Sequence, residues 1–363
     1  MNRQTRVLIV LWALLLALIF LSIALGRYGV GMVRSYKILT DPIFHWEPTW
    51  DTNMVTSIWN LRLPRIFMAC LVGACLSGAG AAYQGVFQNP MASPDVLGAS
   101  SGAAMGAAIA ILLGLTHNAI TLVSFLCAIG TVAVVYAVGR RAPGSRILNL
   151  VLCGMVISSL CSAGTSYVKL VADPNNQLPA ITYWLLGSLN GTTMDEVWRI
   201  APVMALGMVP LVLLRWKINL LTLGEEEARA LGVHPGRLRL LVVLCATLMT
   251  AASIAVSGMI GWVGLVMPHL CRRLVGNNFR ALLPASMVAG ALFLLLVDDL
   301  SRNLLAVEIP IGILTAVLGA PFFLVLLLRG GRDDACCICN PFRFPMATAP
   351  FWTAPACPPV PVS

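Results

Sequence analysis

Charge is scarce in this chain. Only 39 of its 363 residues are Lys, Arg, Asp or Glu, 11% of the total, where a soluble domain carries about a quarter. An ordinary soluble globular protein is thereby excluded. Lysine is scarcer still: Lys37, Lys169 and Lys217 are the whole complement, and none follows a glycine. The phosphate loop GxxxxGK[ST] is therefore absent, and any ATP hydrolysis belongs to another subunit. The four histidines, His45, His117, His234 and His269, are scattered with no HExxH pair, and no catalytic constellation is visible. No stripe of Arg and Lys with interleaved aromatics occurs, which argues against a nucleic-acid partner.

Apolar residues fill the space that charge leaves. They make up 58% of the chain, and the mean hydropathy is +0.86, far from the composition of a disordered protein. At roughly 20 residues per bilayer crossing, about ten crossings are available. The first charge-free run is Val7 to Leu25; it begins like a secretory signal but is too long for one and reads as a retained helix. Nine more fall at about 66–87, 101–115, 118–138, 147–168, 200–214, 240–257, 258–271, 281–297 and 309–328. The run at 258–271 is short and holds Gly258, Gly261, Gly264 and Pro268, so a broken or tilted helix is expected there, its backbone satisfied by surrounding protein. If the chain alternates from an inside N-terminus, 15 basic residues lie inside and eight outside, which places both termini in the cytoplasm by the positive-inside rule. The runs at 66–87 and 101–115 are dense in Gly, Ala and Ser, as helices packed inside a membrane bundle are.

Six of the eleven cysteines lie within apolar runs and read as small hydrophobes. Cys336, Cys337 and Cys339 stand in a Pro- and Cys-rich stretch with no partner at zinc-ligand spacing, so no metal is expected. Residues 331–363 read as a disordered extension of a membrane domain spanning 1–330.

Three polar features interrupt the apolar pattern. Asp298 and Asp299 precede Arg302 at spacings of four and three, which puts the three on one helix face as an internal ion pair; a proton relay is the sharper alternative. The segment Leu221–Val233 carries Glu225, Glu226 and Glu227 at the start of a two-turn helix, where its dipole favours anions. Glu225 faces Arg229 at i, i+4, and Gly232 is a natural stop. So short a helix must lean on something: its own bundle, or a soluble partner. The Asn89–Gly98 segment has two prolines and no basic residue, and reads either as an ordinary connection or as a loop tucked into the bundle near a pathway.

Six segments in order resemble the FecCD-type permeases of bacterial ABC importers for ferric siderophores, haem and cobalamin. They are RLPR (Arg62–Arg65), QGVFQNPMASPDVLG (Gln84–Gly98), YWLLGS (Tyr183–Ser188), LGEEEARALGV (Leu223–Val233), GMIGWVGLVMPHLCRRLVG (Gly258–Gly276) and PIGILTAVLGAPFF (Pro310–Phe323). The resemblance implies an all-α polytopic subunit of about ten helices with the cobalamin-importer-like permease fold, in the bacterial cytoplasmic membrane. It also implies a second permease copy or a paralogue, two ATPase subunits that hydrolyse the ATP, and an extracytoplasmic or lipid-anchored binding protein; the chain itself carries no cofactor. Glu225, Glu226, Glu227, Ala228, Arg229, Ala230, Leu231 and Gly232 would then form the ATPase-coupling helix. Asn89, Pro90, Ser93, Pro94 and Leu97, with Gly144 and Ser145, would form a cytoplasmic gate. Arg62, Arg65 and Arg302 would meet glutamates of the binding protein at the outer face. Helices near 147–168, 258–271 and 309–328 would line the pathway. Ferric siderophore is the expected cargo, with haem, cobalamin or an oxyanion such as molybdate open. A gradient-driven carrier and a membrane-embedded enzyme are the competing classes.

Overall fold

In the computed structural model the described residues are 3–333, apart from 27, 28, 48, 49, 145, 223, 224 and 306, with the side chains of 146, 225 and 326–333 also left aside. Cys336, Cys337, Cys339 and the rest of the Pro-rich stretch lie outside them. The described elements are all helical: α1 (Arg3–Ala24), α2 (Met32–Phe44), α3 (Thr52–Thr56), a π stretch (Ser57–Arg62), α4 (Leu63–Val86), a 3₁₀ turn (Pro94–Leu97), α5 (Ala99–Leu112), α6 (His117–Arg141), α7 (Arg146–Val171), α8 (Gln177–Leu186), α9 (Met194–Leu221), α10 (Glu225–Ala230), α11 (Pro235–Ser257), α12 (Val263–Val275), α13 (Phe279–Asn303) and α14 (Ile311–Asp333). Met1–Phe322 is one compact unit, and a second begins at Phe323, within α14.

Seven of these helices are long and apolar enough to cross a bilayer, counting Thr52–Val86 as one, and α5 and Ile311–Val325 are shorter apolar helices. Nine of the ten charge-free runs thus fall on apolar helices. The tenth is broken, as its glycines led one to expect: residues 258–262 are not helical, and α12 starts only at Val263 and runs 13 residues. Gly258 (φ 67°) and Trp262 (φ 69°) both have left-handed backbones, a conformation that glycine takes freely and a bulky residue rarely. Neighbouring protein absorbs the break. Ser188 N–H donates to Ser257 O at 2.8 Å just ahead of it, and Gly187 and Gly312 lie so close that a Cβ on either would fall 2.5 and 2.8 Å from Met259 O. Helices α2, α3 and α8 fall where connections were expected, because α2 carries Arg34 and Lys37 and α8 has only ten residues.

The bundle is assembled on α4, which packs against α13, α11, α12 and α9 and is buried along almost its whole length. Its glycines set the separations. A Cβ on Gly73 would lie 2.3 Å from Gly290 O of α13, and one on Gly80 would lie 1.8 Å from Gly264 O of α12. Lipid gives helices no hydrophobic reason to associate, so backbone-to-backbone contact supplies the dispersion energy. On α5, Gly102 makes room for a side chain instead, a Cβ there falling 2.1 Å from Thr131 Oγ1 of α6. The small-residue runs thus sit inside the bundle, as their composition implies.

Gly80→Val is expected to destabilise the folded subunit by about 3 kcal/mol, the upper range of overpacking. Gly130→Ala on α6, with nothing within 4 Å of its added Cβ, should be neutral or stabilising by up to about 1 kcal/mol. Thermal unfolding of the purified subunit in detergent checks both. Equal melting temperatures for the two variants would contradict backbone contact at Gly80.

Candidate functional site

One end of the bundle is held by ions. Arg65 Nε donates to Asp298 Oδ1 at 2.8 Å, and its Nη1 reaches both oxygens of Glu308 at 3.1 and 3.2 Å. Arg302 Nε lies 3.1 Å from Asp298 Oδ2, and its Nη2 bonds Asp299 and, at 2.9 Å, Ser22 Oγ. Ser22 in turn donates to Asp299 Oδ1 at 2.6 Å. Arg62 Nη1 donates to Ile23 O at 2.8 Å, its guanidinium lying over Gly26. The cluster joins the ends of α1, α4 and α13. A cavity of about 240 Å³ lies beside it, lined by Arg62, Arg65, Arg302, Glu308 and Asn190 among others.

The three arginines expected to meet a binding protein are all engaged within the subunit. Arg62, Arg65 and Arg302 are only 4–7% exposed, and Arg65 finds its acids at positions 298 and 308, far away in sequence. The physical reason is that two adjacent buried carboxylates, Asp298 and Asp299, demand compensating charge. The Asp298–Asp299–Arg302 ion pairing expected from spacing is present.

The other end is held by amides. Gln88 Nε2 donates to Leu221 O at 2.6 Å, joining the Asn89–Leu97 segment to the last residue of α9. Gln84 Oε1 accepts from Arg272 Nη2 at 3.1 Å. Asn219 bonds Asn278 at 2.9 Å and accepts from Phe279 N–H at 2.8 Å, and Gln4 Nε2 donates to Val275 O at 2.9 Å. Gln84, Gln88, Asn219 and Asn278 were not singled out in the sequence; uncharged amides at the ends of apolar runs were the available signal.

Two elements rest on this amide end. Helix α10 closes with a Schellman stop at Gly232 (φ 78°): Gly232 N–H bonds Arg229 O and Val233 N–H bonds Ala228 O, both at 3.0 Å. Ala228 is fully buried against its own bundle, while Glu226, Glu227, Arg229, Ala230 and Leu231 face outward, Leu231 at 59% exposure. The helix thus leans on its own bundle through Ala228 and leaves its other face exposed. The Glu225 side chain, and so its pairing with Arg229, lies outside the described residues. Within the Asn89–Leu97 segment, Asn89 and Pro90 are exposed, Ser93 is half-buried, and Pro94 and Leu97 are buried in a 3₁₀ turn that touches α4, α5, α6, α7 and α11. Absent side chains make that room, since a Cβ on Gly154 would lie 2.0 Å from Val96 O and one on Gly264 would lie 2.7 Å from Pro94 Cδ. A cavity of about 220 Å³ adjoins the turn, lined by Ser93, Pro94, Asp95, Ser100 and Trp262 among others. Gly144 stands in an exposed turn with nothing within 4 Å of an added Cβ, so it is not brought against Asn89–Leu97; Ser145 lies outside the described residues.

Long apolar helices joined through glycines, with broken helices sheltered among them, define a multi-pass membrane protein. Residues 14–329 match the FecCD transport family, and the chain belongs to that family, the permease subunits of ABC importers. It is 39% identical over 332 residues to the molybdate import system permease protein of Haemophilus influenzae, covering 91% of this chain and 98% of that one. It is 43% identical over 272 residues to an iron chelatin transport system permease of Helicobacter pylori, covering 75% and 82%. A solved metal-chelate type ABC transporter in an inward-facing conformation superposes with a TM-score of 0.81 at 38% identity, over 90% of this chain and 99% of that one.

Asp298→Asn leaves two buried guanidinium groups short of charge and should cost about 3–5 kcal/mol of stability. Glu308→Gln, at a carboxylate 27% exposed, should cost under about 1 kcal/mol. Thermal unfolding of both variants distinguishes this cluster from a set of surface pairs, for which the two losses would be equal and small.

Proposed function

We propose that this subunit carries a ferric siderophore across the bacterial cytoplasmic membrane, paired with a second copy or a paralogue. Two separate ATPase subunits drive it, and a periplasmic or lipid-anchored binding protein supplies it. In this reading the chain crosses the membrane ten times, with α12 as the short crossing and both termini in the cytoplasm. The end bearing α10 faces the ATPases. Basic connections support that orientation, since Arg215, Arg237, Arg272 and Arg280 all belong to segments at that end.

The observation that carries the proposal is the shape of α10. A six-residue helix is too short to persist alone in water. Here one residue, Ala228, anchors it while two acids and an apolar leucine stand outward, which suits insertion into a cleft of another protein. The bond from Gln88 to Leu221 O supports a mechanical link from that cleft to Asn89–Leu97, the proposed inner gate. Hydroxyls exposed along α7 at Ser159, Ser162 and Ser166 support a route along that helix, as a face turned to water rather than lipid. The shared alignment with the molybdate permease of Haemophilus influenzae supports an oxyanion as the second reading of the cargo.

Leu231→Glu is expected to leave ATP hydrolysis in the assembled transporter but lower substrate uptake tenfold or more. Gln88→Ala should preserve assembly and lower uptake severalfold. Uptake of radiolabelled ferric siderophore, with molybdate as competitor, is the readout. Normal coupling in Leu231→Glu would remove α10 from the ATPase interface, and competition by molybdate alone would favour the oxyanion.

A further inference from the structure

A groove on the flank of the bundle has no part in the reading above. It lies between α6, α9 and α11, encloses about 910 Å³, and is walled by apolar side chains that include Ile129, Leu206, Pro210, Leu244 and Leu248. That volume is in the range of enclosed ligand sites, about 300–1,000 Å³. Arg140 and Arg141, the last two residues of α6, line it too. A second cavity of about 230 Å³ shares Tyr136, Arg140 and Leu240 with the groove and adds Arg237 and Arg239 from the first turns of α11. No aspartate or glutamate lines either space. Because α11 follows α10 directly, the arginines sit at the α10 end of the bundle.

We propose that the groove and the basic cavity together form a binding site for one anionic phospholipid. Its acyl chains lie between α6, α9 and α11, and its phosphate and headgroup meet Arg140, Arg237 and Arg239. The two halves of the site match the two halves of such a molecule and their order along the bilayer normal. An apolar trough open toward the hydrocarbon takes chains, and guanidinium groups at the interfacial end of the same helices take a phosphate. Basic pockets between membrane helices recognise anionic headgroups in this way. A zwitterionic lipid would fill the trough equally well but bring no net negative charge to the arginines. A free anion would meet the arginines but leave the trough empty.

The test is native mass spectrometry of the assembled transporter released from nanodiscs with equal amounts of phosphatidylglycerol and phosphatidylcholine of matched chains. Retained phosphatidylglycerol should exceed phosphatidylcholine by about fivefold or more, the gain expected from one arginine at a membrane surface. Arg140→Gln, Arg237→Gln and Arg239→Gln combined should bring the ratio near one. Leu244→Trp, which obstructs the trough, should lower retention of both lipids, and Arg199→Gln on exposed α9 surface should change nothing. Glycerophosphoglycerol, a headgroup without chains, should not displace the bound lipid. Equal retention by the unmodified protein, a preference that survives the triple substitution, full retention in Leu244→Trp, or displacement by the soluble headgroup would each overturn the proposal.

Discussion

The separation between helices at α4 constrains the rest of the molecule. Gly73 against Gly290 and Gly80 against Gly264 bring main chains into contact, and no other residue type permits that distance. Once α4, α12 and α13 are so close, the neighbouring connections must fit in what remains. Trp262 turns through a left-handed backbone ahead of α12, and the 3₁₀ turn Pro94–Leu97 enters the bundle against Gly154 and Gly264. Irregular backbone inside a membrane persists only with protein or water around it. The glycine contacts put such protein there.

The two ends of α4 are fastened by different chemistry. At the end of Arg62 and Arg65, charged groups are buried together with Asp298, Asp299 and Arg302. Separating such a set exposes uncompensated charge, so that end resists rearrangement. At the opposite end Gln88, Asn219 and Asn278 make neutral hydrogen bonds, each worth about 1 kcal/mol net, and Gln84 accepts from the Arg272 guanidinium. These are readily exchanged.

Much of this was legible before any coordinates. Apolar runs located nine of the helices, Gly and Ala density marked α4 and α5 as interior, and Gly232 marked the end of α10. Spacing of four and three placed Arg302 with Asp298 and Asp299. What stayed hidden depended on contacts far apart in the chain: Arg65 with Asp298 and Glu308, and Gln88 with Leu221. The positive-inside rule treated Arg62 and Arg65 as surface charge because no acid stands near them in sequence, and only the crossing of α4 with α13 supplies one. Helices α2 and α8 escaped because a charge-free criterion passes over a charged amphipathic helix and one of ten residues. The break at 258–262 was signalled by its glycines, but the start of α12 at Val263 rests on backbone angles that composition does not specify.

In the proposed function this chain is a passive conduit driven through α10 by a separate ATPase. Reconstitution into liposomes, with and without the ATPase subunits and the binding protein, tests it most directly. The account expects the permease alone neither to hydrolyse ATP nor to concentrate a ferric siderophore, and the full assembly to accumulate it only with ATP, even when ionophores have collapsed every ion gradient. Accumulation by the permease alone, driven by an imposed ion gradient, would contradict it.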